Sequence, residues 1–172
     1  LFISLIKEAR IFLSMYTLAD ILNDKCETLD IRGVAHKGFF ASITDFPSYY
    51  AANMALLNYK SAQELFHDNW PIYTRTNDSC PTQYFNTADV TNSVISNGCQ
   101  IEGTVENSVI GRGCVIKKGA VVRNSVVLAE VTVGEGVHVE NEVVDKWAKL
   151  VHKKEIVSPA EQPGYIRRND TL

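Results

Sequence analysis

Four cysteines and four histidines are the residue types most able to hold a metal or attack a substrate, and their spacing supports neither role. Cys26, Cys80, Cys99 and Cys114 contain no CxxC pair, and the histidines form no HxxxH or HExxH pattern, so the ligand spacing of a zinc site is missing. His138 is the one histidine inside the repetitive stretch described below, where alternation between Val137 and Val139 points it outward. An outward imidazole can serve as a general base, but no companion histidine accompanies it. The main basic cluster, Lys149 with His152, Lys153 and Lys154, reads as a solvated turn.

The remaining bulk properties narrow the field. A net charge of −3 offers no basic face for nucleic acid. No apolar run approaches the roughly 20 residues of a membrane span, and no secretory signal opens the chain. Unpatterned cysteines and the missing leader lead us to expect the cytoplasm. The apolar start Leu1-Phe2-Ile3-Ser4-Leu5-Ile6, without a methionine, suggests a segment of a longer protein.

Two halves follow different rules. Residues 1–66 have mixed α and β character. Leu5, Ile6, Ala9 and Leu13, then Leu18, Ile21 and Leu22, recur at helical spacing, while Leu29 to Ala35 alternates as a strand would. A further helix is expected from Ser48 through Leu57, with Pro47 at its entrance. One or two strands cannot close a sheet, so this half is expected to lack a partner. Residues 67–89 are rich in turn formers and read as a connector.

From Val90 the sequence repeats. Asn92-Ser93-Val94-Ile95 returns as Asn107-Ser108-Val109-Ile110, Asn124-Ser125-Val126-Val127 and Asn141-Glu142-Val143-Val144. Aligned on Asn, the columns keep their type: Val90, Val105, Val122, Val139; Cys99, Cys114, Val131, Ala148; Ile101, Ile116, Val133, Leu150. Three apolar stations per repeat describe the three sides of a parallel β-helix built from hexapeptides. Cys99 and Cys114 are then small core residues and the repeated Asn a corner residue stacking on its neighbours. Gly98, Gly103, Gly111, Gly113, Gly119, Gly134 and Gly136 fall between stations, where corners are expected to need positive φ. Residues 90–157 are assigned to the β-helix and 158–172 to a tail.

A hexapeptide β-helix occurs in several enzyme classes, so the first half must discriminate. Gly38-Phe39-Phe40-Ala41-Ser42-Ile43-Thr44-Asp45, then Ser48-Tyr49-Tyr50-Ala51-Ala52-Asn53-Met54-Ala55-Leu56-Leu57, is similar to the end of the catalytic domain of glucose-1-phosphate adenylyltransferases, roughly G-Y-W-x-D-I-G-T and S-Y-Y-x-A-N-M-x-L-L. Asn69-Trp70-Pro71-Ile72-Tyr73-Thr74 and Pro81-Thr82-Gln83-Tyr84 resemble that family's connector, and Val144-Asp145-Lys146 its I-D-K near the last coils. The resemblance implies a mainly β fold, a left-handed parallel β-helix after the α/β tail of a nucleotidyltransferase domain. It implies a parent reaction in which ATP and glucose 1-phosphate give ADP-glucose and pyrophosphate with Mg²⁺, in bacterial glycogen synthesis.

The departures carry as much as the matches. The aspartate of the family's D-I-G belongs to its metal site, and Ser42 stands there, so the metal carboxylate is missing. The Gly-rich nucleotide loop is absent from these residues. The resemblance therefore points to a regulatory, GlgD-type subunit without catalytic or metal residues or a cofactor of its own. It implies a catalytic adenylyltransferase subunit as partner, self-association through the β-helix, and effector contacts at Lys146 and Arg75. Two alternatives stay open: a catalytic parent chain whose metal ligand is Asp45 or a residue outside this sequence, and a hexapeptide acyltransferase using His138.

Overall fold

The computed structural model describes residues 2–9, 17–66, 71–73 and 78–172. These fall into two compact units, Leu1–Lys37 and Gly38–Leu172.

In the first unit, helices α1 (Phe2–Ala9) and α2 (Leu18–Lys25) pack together. α2 starts with a capping box: the Thr17 hydroxyl accepts from the Asp20 N–H and the Asp20 carboxylate accepts from the Thr17 N–H. Ile21 is its buried residue. The expected strand over Leu29–Ala35 does not form, and Ile31 and Val34 are exposed. Alternation marks a face that suits a sheet, but a lone segment has no neighbour to complete its ladder bonds.

The second unit opens with α3 (Phe46–Ala55) and α4 (Tyr59–Leu65). α3 begins two residues before the expected Ser48, because Asp45 caps it and Pro47 fits its first turn. α4 was not legible in the apolar spacing; Asn58 caps it, its side-chain oxygen accepting from the Lys60 and Ser61 N–H groups.

Three parallel five-stranded sheets follow, numbered here in chain order. The first holds β1 (Gln83–Tyr84), β4 (Gln100–Ile101), β7 (Val115–Ile116), β10 (Thr132–Val133) and β13 (Lys149–Leu150). The second holds β2 (Asp89–Thr91), β5 (Thr104–Glu106), β8 (Val121–Arg123), β11 (His138–Glu140) and β14 (Glu155–Val157). The third holds β3 (Val94–Ile95), β6 (Val109–Ile110), β9 (Val126–Val127), β12 (Glu142–Val144) and β15 (Gly164–Ile166). Successive strands of the chain enter successive sheets, which is the path of a parallel β-helix. Register follows the sequence columns, with Val105 opposite Val122 and Ile101 opposite Ile116.

Strands extend past both expected ends of the repeat. β1 lies within the stretch taken as connector, and β15 lies within the tail and pairs with β12. Lys149 also bridges to Thr171, and the tail's last residue, Leu172, packs on the core. These edge strands escaped the periodicity because Gln83-Tyr84 and Gly164-Tyr165-Ile166 lack the Asn that marks each repeat.

The core is the stack of inward columns, fully buried from Val105 through Leu150. Cys99 and Cys114 lie in it as read, their thiols donating to the Gly111 and Leu128 carbonyls at 3.0 and 3.1 Å. Asn92, Asn107, Asn124 and Asn141 all have φ between 43° and 56°, the left-handed corner that Asn tolerates best after Gly. Asn92 Nδ2 donates to Asn107 Oδ1 at 2.7 Å, so the ladder is real at that step.

The glycines divide into two groups. Gly98, Gly113, Gly119 and Gly136 have positive φ, as corners require. Gly103, Gly111 and Gly134 do not; they are small because a Cβ would meet backbone of the next coil, at 2.4 Å from the Ala120 carbonyl oxygen for Gly103. That close approach sits in the corner between β4 and β5, where Ile101 and Val105 are four residues apart and the matching Ile116 and Val122 are six apart.

One column was missed. Ser93, Ser108 and Ser125 form a hydrogen-bond ladder in which each hydroxyl accepts an N–H from the next coil at 3.1 Å, from Ser108, Ser125 and Glu142 in turn. Each also donates to the carbonyl two residues earlier, so the half-buried Ser93 and the buried Ser108 and Ser125 are all satisfied.

Candidate functional site

The third sheet differs from the other two in being apolar on both sides. Its strands place Ile95, Ile110, Val127, Val144 and Ile166 inward and Val94, Val109, Val126, Val143 and Tyr165 outward. The first sheet alternates Gln100, Thr132 and Lys149 against its inward residues, as a solvated face does. The outward Val126 and Val143 are nevertheless buried, at 0% and 1% exposure. α3 covers them: it lies against β9, the Tyr50 hydroxyl donates to the Asn124 carbonyl, and Phe46 meets Tyr165 edge-on with ring centroids 5.8 Å apart. The doubled apolar residue after each Asn was the available signal for this docking.

Where α3 begins, Asp45 is committed. Its Oδ1 accepts from the Ser48 N–H at 2.8 Å, while the Ser48 hydroxyl accepts from the Asp45 and Thr44 N–H groups at 3.0 Å. Hydrogen bonding from the Ser48 side chain and then its backbone N–H to the carboxyl holds Asp45 below the usual carboxylate range. Ser42 lies three residues earlier on exposed chain outside any strand or helix. A magnesium site needs several hard, preferably anionic oxygens. Ser42 offers a neutral hydroxyl and Asp45 already uses Oδ1 to cap α3, so these two side chains alone fall short of such a set. No group of three or more His, Cys, Asp and Glu among the described residues is arranged to hold a metal.

The corner between β12 and β13 gathers the chemistry at the far end of the β-helix. Lys146 is exposed, and Trp147 after it takes φ of 61°, the same corner that Gly98, Gly113 and Glu130 occupy in earlier coils. The tail folds back over it: Arg168 lies over the Trp147 ring with its guanidinium 4.2 Å from the centroid, a cation–π contact. Asp145 Oδ1 accepts from the Lys146 N–H at 2.7 Å, and Oδ2 accepts from the Tyr165 hydroxyl at 2.8 Å. Burial pushes the Asp145 carboxyl up, but those bonds and the nearby charges of Arg168 and Lys146 outweigh it and hold it low. The bond to Asp145 raises the Tyr165 phenol in turn. The corner thus presents Lys146, Arg167 and Arg168 beside two carboxylates, Asp145 and Asp170, so the cations outnumber the carboxylates by one, a balance that admits a small anion.

The other candidates separate from this corner. Arg75 lies outside the described residues. His138 faces outward on β11 as read, in register with Val121 and Glu155, its Nε2 3.2 Å from Glu140 Oε2. Glu142 went unremarked in the sequence, yet it is buried at the end of the serine column, where it accepts from the Ser158 hydroxyl at 2.6 Å. Burial raises its carboxyl above the ordinary range.

Comparison with known proteins agrees with this architecture. Residues 81–162 match the family described as GlmU-like, C-terminal hexapeptide, which fits the left-handed winding expected of the β-helix. The chain is 31% identical over 152 residues to the glycogen biosynthesis protein GlgD of Bacillus subtilis, covering 88% of this chain and 44% of that protein. It is 37% identical over 107 residues to GlgD of Geobacillus stearothermophilus (62% of this chain, 31% of that protein). It is also 37% identical over 108 residues to the glucose-1-phosphate adenylyltransferase of Fervidobacterium nodosum (63% and 26%). The chain therefore spans less than half the length of these relatives. No helix among the described residues is long and apolar enough to cross a membrane. Sequence and fold together place the chain in the family of GlgD and the glucose-1-phosphate adenylyltransferases, over the part that carries the carboxy-terminal hexapeptide β-helix.

Proposed function

We propose that the chain is the regulatory and assembly part of a bacterial glucose-1-phosphate adenylyltransferase, acting in ADP-glucose and glycogen synthesis without catalysing the reaction itself. The observation that carries this reading is the metal position. Ser42 stands where the resemblance puts the family's carboxylate, and the nearest other carboxylate, Asp45, uses Oδ1 to cap α3. Similarity to a GlgD protein across 88% of the chain supports the same side.

On this reading Mg²⁺ and both substrates are held by a catalytic subunit in a cytoplasmic hetero-oligomer, and the β-helix contributes to assembly. The basic corner at Lys146 takes an anionic effector. The test is to mix the full-length chain with a catalytic subunit from the same cell and titrate effector. Lys146→Ala is expected to keep the complex intact on size exclusion and to weaken the effector response by about tenfold or more, as expected for losing a charge-assisted contact. Failure of the two chains to form a complex contradicts the proposal.

A further inference from the structure

We infer that Tyr165 is a positioning residue that couples the Lys146–Trp147 corner to the entrance of α3; the corner's role as an effector site is the reading proposed above. One side chain makes both connections with different chemistry. Its hydroxyl donates to Asp145 Oδ2 at 2.8 Å, and Asp145 Oδ1 accepts from the Lys146 N–H at 2.7 Å. Its ring meets Phe46 edge-on, at 5.8 Å between centroids and 73° between planes. Phe46 is the first residue of α3 and follows Asp45, whose carboxylate caps that helix. Upstream lies the segment 38–45, which includes Ser42.

The tail that carries Tyr165 is anchored to the same corner a second time, by Arg168 over Trp147 at 4.2 Å. It is held to the last coils by β15 pairing with β12, where Val143 is opposite Tyr165. An anion beside Lys146 and Arg168 adds negative charge next to Asp145 and competes for the cations that face it. Occupancy therefore biases whether Asp145 keeps the Tyr165 hydroxyl, and Tyr165 passes the difference to Phe46. Such coupling requires that the anion interact differently with the two arrangements, and charge beside Asp145 supplies that difference.

The experiment is amide hydrogen exchange on the full-length chain, read at amides 48–52 of α3. Tyr165→Phe keeps the ring on Phe46 and removes the hydroxyl. It is expected to speed exchange there by roughly three- to tenfold, the range for one lost side-chain hydrogen bond, while amides of β5 and β8 stay unchanged. Combining it with Phe46→Leu is expected to give less than the product of the two separate effects, because both act on one connection. Saturating inorganic phosphate, used as the anion probe, is expected to change exchange at 48–52 in the wild type and not in Tyr165→Phe. Unchanged exchange at 48–52 in Tyr165→Phe overturns the coupling, whatever phosphate does. If the variant does speed exchange but phosphate leaves the Lys146 resonances unmoved, the effector reading of the corner falls and the coupling stands.

Discussion

Truncating Val126 tests whether the β-helix is covered on its third sheet. Val126 faces outward on β9 yet is fully buried, whereas Val94, in the same column two coils earlier, is 43% exposed. Val→Ala removes two methyl-sized groups, worth about 1.6 kcal/mol of transfer when wholly buried. Beneath α3 the vacated space cannot refill with water, which adds about 1 kcal/mol of cavity cost. Val126→Ala is therefore expected to destabilise the β-helix by about 2.5 kcal/mol. At Val94 about half the transfer cost and no closed cavity remain, giving about 0.8 kcal/mol. Any loss of strand propensity is common to both sites and cancels in the comparison. Urea unfolding followed by far-ultraviolet circular dichroism reads the difference. With a slope of about 2 kcal/mol per molar, the midpoints should fall by about 1.2 M and 0.4 M. Equal shifts at the two positions would refute the claim that α3 covers this face, because both residues would then experience the same environment.

Gly103→Ala places a Cβ 2.4 Å from the Ala120 carbonyl oxygen and 2.8 Å from that of Lys117, backbone atoms that cannot swing aside. It should cost about 3 kcal/mol in the same urea assay, even though Ala is ordinarily the better residue where φ is not positive. The buried Glu142 sets a pH dependence of defined sign. Its carboxyl is raised in the folded protein, so its contribution is fully present below the unfolded value near 4.3 and is lost as pH rises through the folded value. Glu142→Gln should therefore flatten the decline in thermal midpoint above pH 4 and raise the midpoint at pH 7. A variant that lowers the midpoint at pH 7 would show that the charged carboxylate, held by Ser158, is the stabilising form.

The β-helix was legible because each repeat states its geometry several times over. Asn92, Asn107, Asn124 and Asn141 mark one corner, and the Val, Cys and Ile columns mark the inward stations. In-register parallel pairing turns sequence spacing directly into contact, so column identity was enough. The reasons for the glycines were only half legible. Positive φ at Gly98 and crowding at Gly103 leave the same residue in the sequence, and only coordinates tell a twist from a close approach. The strand expected over Leu29–Ala35 failed because alternation describes a face, not a neighbour. The doubled apolar residues of Val94-Ile95, Val109-Ile110 and Val126-Val127 did announce α3 in principle, since a solvated outer face would have been polar there. The corner at Lys146 was flagged by one motif. Its other members, Tyr165 and Arg168, lie about twenty residues on, in a tail whose return to β12 leaves no periodic trace.

The central claim is that this chain regulates rather than catalyses. ADP-glucose synthesis by the full-length chain, assayed alone and then mixed with a catalytic subunit from the same cell, tests it most directly. The account predicts no turnover alone, together with changed activity or effector response in the mixture. Robust turnover by the chain alone would contradict it and would require a metal carboxylate from a position other than Ser42.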